Sequence, residues 1–105
     1  MIRVTTTYQK SVIRSIEVSG HALSDEYGKD LVCAGVSAIV TGIANMLVKK
    51  DFLESGEIQF KNGYVFIKTS NENKEHQLIL ETLMVSLESV EESYDNYIEI
   101  IKKEA

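Results

Sequence analysis

Few side chains in this 105-residue chain are chemically conspicuous: one cysteine (Cys33), two histidines (His21 and His76), Asp30 and some hydroxyls. A thiol beside an imidazole is the minimum for thiolate nucleophilic catalysis. The imidazole holds the proton and later gives it to the leaving group. Asp30 opens a long apolar run, so the spacing predicts a helix over roughly 31–49 with Asp30 as its N-cap. On that reading Cys33 is the third helical residue. There, unpaired N–H groups and the positive end of the helix dipole stabilise a thiolate. The same N–H groups could receive an oxyanion. His21 directly follows Gly20 at the end of a predicted strand, and it reaches the helix start if strand and helix pack as neighbours.

Each of these residues also has a plainer reading. A lone cysteine in an apolar helix is more often an inert core residue. A single histidine such as His21 is more often a strand-end or turn residue than a catalyst. Asp30 is a helix cap by default. Ser37, one turn beyond Cys33 on the same face, would bond the Cys33 carbonyl within the helix. His76, among Glu72, Lys74 and Glu75, reads as a solvated surface residue. One Cys and two distant His match no compact ligand spacing, so no metal site is expected. No Gly-x-Gly-x-x-Gly or Walker sequence offers a cradle for a nucleotide, and no cofactor is implied.

The elements that must position these groups follow from periodicity. Residues 2–8 alternate, with Ile2, Val4, Thr6 and Tyr8 on one face and Arg3, Thr5 and Thr7 on the other, as in a half-buried strand. Gln9-Lys10-Ser11 is a tight connection to a second alternating run over 12–19, with Val12, Ile16 and Val18 facing inward. Residues 21–29 read as a loop by composition. The helix over 31–49 is apolar around most of its circumference, predicts extensive burial, and closes on Lys49 and Lys50, where cations suit the dipole. Residues 57–61 and 64–69 flank Asn62-Gly63, the strongest hairpin signal in the chain, for which a type I′ turn is expected. A second helix spans roughly 73–92, with a stripe of Leu80, Leu83, Met84, Leu87 and Val90 and either Asn71 or Asn73 as its cap. Tyr97 to Ile101 reads as a last strand. The order is ββαββαβ. It predicts an α+β fold with a mixed or mostly antiparallel sheet and two packed helices, in one domain over 1–105.

Composition narrows the function classes. With 44% hydrophobic and 26% charged residues, the chain has the make-up of a globular protein rather than a disordered one. The run from Leu31 to Val48 is interrupted by Gly35, Ser37, Thr41, Gly42 and Asn45, and reads as too short and too polar to span a bilayer. The N-terminus lacks the apolar run of a signal peptide. A single cysteine cannot form an internal disulfide, which favours a reducing compartment. Sixteen acids against eleven bases leave a net charge of −5, which gives no encouragement to phosphate-backbone binding.

The combination over residues 20–38 is more specific than its parts. Gly20-His21-Ala22, a short loop carrying Gly28, and then Asp30-Leu31-Val32-Cys33-Ala34-Gly35-Val36-Ser37-Ala38 resembles the ribosomal-processing cysteine protease family Prp. The resemblance covers essentially the whole chain, and the predicted element order is compatible with that family's small α+β fold. It implies a bacterial endopeptidase that removes a short N-terminal extension from large-subunit ribosomal protein number twenty-seven. It also implies that the extension ends in a hydrophobic, aromatic-containing segment. By the same resemblance, Cys33 matches the nucleophile and His21 the general base, with Gly20, Asp30 and Ser37 in support. The resemblance further implies a homodimer.

The resulting expectation is a cytoplasmic cysteine endopeptidase acting on a ribosomal protein precursor, with no membrane and no direct nucleic-acid partner. Segment 22–29, with Ala22, Leu23, Tyr27 and Gly28, is the candidate substrate loop, and Gly20 and Gly28 are its candidate hinges. Two rivals stand beside this reading. One is a non-enzymatic ribosome-assembly adaptor, and the other is a thiol redox sensor using Cys33.

Overall fold

A computed structural model describes residues 1–20 and 27–105, and their side chains apart from those of 27–30. The chain runs β1 (Ile2–Gln9), β2 (Val12–Ser19), α1 (Tyr27–Lys49), a short 3-10 turn (Phe52–Glu54), β3 (Gly56–Lys61), β4 (Tyr64–Thr69), α2 (Lys74–Ser93) and β5 (Ile98–Glu104). The five strands form one sheet in the order β3-β4-β2-β1-β5. Every pairing is antiparallel except β1 with β5, which is parallel. The predicted ββαββαβ order and mixed sheet are therefore those of the molecule. The last strand runs three residues beyond the expected Ile101.

One face of the sheet carries the core. Val4, Val18 and Val65 form a row across β1, β2 and β4, and Thr6, Ile16 and Ile67 form the next. Against these rows pack Val32, Cys33, Val36, Val40 and Leu47 of α1 and Leu80, Leu83, Met84 and Leu87 of α2. Helix α1 is less buried than expected. Its apolar residues divide into a buried stripe and an exposed face that includes Leu31, Met46 and Val48. Residues Leu31–Lys49 also meet the length and hydropathy requirement for a membrane span, at a mean hydropathy of 2.1, so the argument from length and polarity fails. Packing of the buried stripe onto the sheet is what places this helix in the fold.

Two turns exchange their expected characters. At Asn62-Gly63 only Gly63 has a positive φ, 72°, so the turn is not type I′. At Lys10-Ser11 both residues do, at 50° and 70°. That pair of left-handed residues is the type I′ requirement, met here without glycine or asparagine because the twist of β1 and β2 demands it. Ser11→Gly should remove the steric cost of a left-handed Cβ and raise stability by about 1 kcal/mol, measured by urea unfolding.

A bulge near this turn changes which side chain faces inward. Thr7 pairs with Ser15 but Tyr8 pairs with Ile13, which leaves Arg14 as the extra residue. The frame shift turns Ile13 into the core in place of the expected Val12. Pairing of β2 with β4 stops at Ser15, so the backbone of Ile13 has no strand on that side. The Gln77 side chain replaces it. Its Oε1 accepts from the Ile13 N–H at 2.9 Å, and its Nε2 donates to the Ile13 carbonyl at 2.9 Å. Gln77→Leu should cost about 2 kcal/mol by orphaning two backbone groups, whereas Gln77→Glu, which keeps only the acceptor, should lose part of that.

Candidate active site

The site is assembled where β2 ends and α1 passes beneath it. Gly20 closes β2 with φ at 81°, and its N–H donates to the Gly63 carbonyl at 2.9 Å. A Cβ at Gly20 would stand 2.7 Å from the Met1 carbonyl oxygen. Glycine is therefore required there twice, for its backbone angle and for the approach of β1. The Cys33 thiol lies beside this corner, with Sγ donating to the Gly20 carbonyl at 3.9 Å. Gly20 and Cys33, thirteen residues apart, are thus brought together, while the expected approach of His21 to Cys33 lies outside the described residues. Met1, which the sequence did not single out, and Gly63, expected only as a hairpin residue, form the backbone frame that fixes Gly20.

The helix start differs from expectation. Helix α1 begins at Tyr27, so residues 27–29 are helical rather than loop, and Asp30 is the fourth helical residue rather than the cap. Ser24, Asp25 and Glu26 are residue types that favour a helix N-terminus, and that signal was available in the sequence. Gly28 lies in the first turn, so it is not a loop hinge. Glycine is tolerated there because that turn lacks a complete ladder. Cys33 becomes the seventh residue, one turn deeper than predicted. Its N–H is committed to the helical ladder and is not an open oxyanion donor. Helix-dipole stabilisation, which fades within the first turn, is correspondingly a weaker argument at this position.

Cys33 is fully buried. Ser37 stands one turn further along α1 and is half-buried. His21, Ala22 and Leu23 lie outside the described residues, as do the side chains of Tyr27 and Asp30. On the open face of the same sheet end, the Tyr64 hydroxyl donates to Glu17 Oε2 at 2.8 Å. That hydrogen bond, then burial and the carboxylate charge, raise the Tyr64 pKa above its ordinary value.

His76 belongs elsewhere. It is 4% exposed, not solvated, and sits at the far end of α1, about 25 Å from Cys33 by helical rise. Its Nε2 is 2.6 Å from the Lys50 carbonyl, and its ring packs edge-to-face on Phe52 at 5.3 Å. Asn73 is the cap of α2, its Oδ1 accepting from the His76 N–H at 2.9 Å, while the Asn71 side chain accepts from the Asn73 N–H. Extending the Leu80 stripe back by four residues reaches His76, so the periodicity already contained its burial.

The profile of the family described as cysteine protease Prp matches residues 1–99. A ribosomal processing cysteine protease Prp of Staphylococcus aureus is 35% identical over 98 residues, covering 90% of this chain and 92% of the relative. Its Bacillus subtilis counterpart is 33% identical over 108 residues, covering 95% and 96%. Among solved structures, the S. aureus protease Prp with a substrate peptide superposes with a TM-score of 0.86 at 33% identity, covering 98% of this chain and 100% of the other. The same enzyme with a covalently linked product peptide gives a TM-score of 0.83 at 34% identity, with the same coverage.

Proposed function

Because the chain belongs to the Prp family of cysteine proteases, we propose that it is the endopeptidase that trims the N-terminal extension from the precursor of large-subunit ribosomal protein number twenty-seven. One observation carries the assignment of the nucleophile. The S. aureus relative has been solved with a covalently linked product peptide, which fits a protease that acts through an attacking side chain. Cys33 is the single cysteine of this chain, and it lies against Gly20 at the end of β2.

In the proposed reaction the Cys33 thiolate adds to the scissile carbonyl, its proton having passed to His21. His21 returns that proton to the leaving amine as the peptide bond breaks and an acyl-enzyme forms. His21 then takes a proton from water, hydroxide displaces the thiolate, and the extension leaves as a carboxylate. Gly20, Asp30 and Ser37 support the pair, and Ala22, Leu23, Tyr27 and Gly28 contribute to substrate contact. The active protein is one domain over 1–105, cytoplasmic and homodimeric.

Incubation with a synthetic precursor peptide, followed by mass spectrometry, tests the proposal. A single cut that releases the hydrophobic extension is expected. A peptide of that sequence left intact by the wild-type protein, while an unrelated peptide is cleaved, would replace the substrate assignment.

A further inference from the structure

The face of the sheet away from the helices has a recess of about 400 Å³ at the end remote from Gly20. Its origin is the bulge in β2. Thr7, Ser15 and Lys68 form a row across β1, β2 and β4, and beyond that row β2 and β4 no longer pair. The bulge places the extra residue, Arg14, at the margin of the gap, together with the Ser70 hydroxyl. Phe66, two residues before Lys68 on the same face, supplies an apolar wall.

The two cations are prepared differently. Arg14 is held in place: its Nε donates to Gln9 Oε1 at 3.0 Å and its Nη1 to the Asn71 carbonyl at 3.5 Å, with Glu72 3.8 Å from Nη2. A guanidinium already fixed by its neighbours has little conformational freedom left to lose on binding. Lys68 faces Glu57 in the ladder, but the Glu57 carboxylate accepts from Gln59 Nε2 at 2.7 Å. Among the described residues the Lys68 ammonium makes no ion pair. The nearby Glu17 carboxylate accepts from Tyr64. Around this recess a chain with net charge −5 thus places two cations, an aromatic wall and four hydroxyl residues.

We infer that this recess is a binding site for a small organic anion with a planar apolar body. The body would lie on Phe66, and the carboxylate or phosphate would meet Lys68 and Arg14, with Thr7, Ser15 and Ser70 as hydroxyl donors. The volume is that of a small-molecule site, and a few polar groups around an apolar surface are its usual lining. The site lies across the sheet from Cys33, so its occupancy is independent of the protease reading.

The test is a titration of the isotope-labelled full chain, followed by backbone amide shifts. Indole-3-acetate and adenosine 5′-monophosphate are the anionic probes, and indole-3-acetamide and adenosine are their neutral counterparts. Saturable shifts at Thr7, Ser15, Phe66 and Lys68 are expected with at least one anion, with its neutral counterpart roughly tenfold weaker. Response to indole-3-acetate alone identifies a carboxylate site, and response to the nucleotide alone a phosphate site. Lys68→Gln, at an exposed position, should weaken binding roughly tenfold, while Lys61→Gln, at the other end of the same face, leaves it unchanged. The assignment is overturned by the absence of saturable shifts with both anions, by equal binding of the neutral probes, or by equal effects of the two lysine variants. Peptide cleavage by Lys68→Gln should remain at the wild-type rate.

Discussion

Cys33→Ala is expected to abolish precursor cleavage, with a loss of several orders of magnitude, while the chain stays folded. The side chain is fully buried, so deletion of its sulfur leaves a small void, at a stability cost of about 1 kcal/mol. The rate effect is far larger because, in the proposed mechanism, the thiolate forms the covalent intermediate. His21→Ala should be as severe, and the double variant hardly worse than either, since members of one catalytic unit are not additive. The measurements are kcat/KM on the precursor peptide and a thermal melt of each variant. Near-wild-type cleavage by Cys33→Ala would remove the nucleophile assignment. Full activity in His21→Ala would remove the base and leave the thiol in place.

Gly20→Ala should be the most damaging substitution outside that pair. The new methyl would stand 2.7 Å from the Met1 carbonyl oxygen on a backbone with φ at 81°. The strain and the displacement of β1 together should cost about 3 kcal/mol. Because the Gly20 carbonyl lies beside Cys33 Sγ, a shift of this corner also misplaces the thiol, and a fall of roughly 100-fold in kcat is expected. Gly35→Ala gives the contrasting case. A Cβ there meets nothing within 4 Å, so helix α1 should gain up to about 1 kcal/mol from a better helix former. Urea unfolding and peptide kinetics on the two variants separate an indispensable glycine from a replaceable one. Equal, small effects of both substitutions would contradict the role given to Gly20.

Elements with strong period were legible in the sequence. The alternation in β1 and the stripe of α2 placed both to within about two residues, because a half-buried strand and an amphipathic helix each impose one period on the chain. The contact of Gly20 with Cys33 was not read in advance, although the order of strand, loop and helix placed the end of β2 beside the start of α1. What escaped had local chemistry overruled by neighbours. Asn62-Gly63 carried the type I′ signal, but Lys10-Ser11 adopted the geometry because strand twist set it. Val12 fitted the alternation, but the bulge at Arg14 moved Ile13 inward. The start of α1 escaped because acids and serine suit a loop and a helix entry equally well. That four-residue error moved Cys33 out of the first turn and removed the oxyanion role given to its N–H.

The parallel pairing of β1 with β5 also bears on the order in which the molecule is built. Ile2 lies beside Ile98, and the pairing is closed at its ends by the Ile2 N–H on the Tyr97 carbonyl and the Ala105 N–H on the Tyr8 carbonyl. During synthesis the first strand waits for nearly the whole chain before its second neighbour exists. A contact spanning some hundred residues raises the mean sequence separation and slows folding relative to a fold of local contacts. The frame of the site escapes that delay, since Met1 and Gly20 flank the β1–β2 hairpin, whose contacts lie within the first twenty residues. The outer edge of β1 is therefore a late step of folding, and the corner at Gly20 an early one.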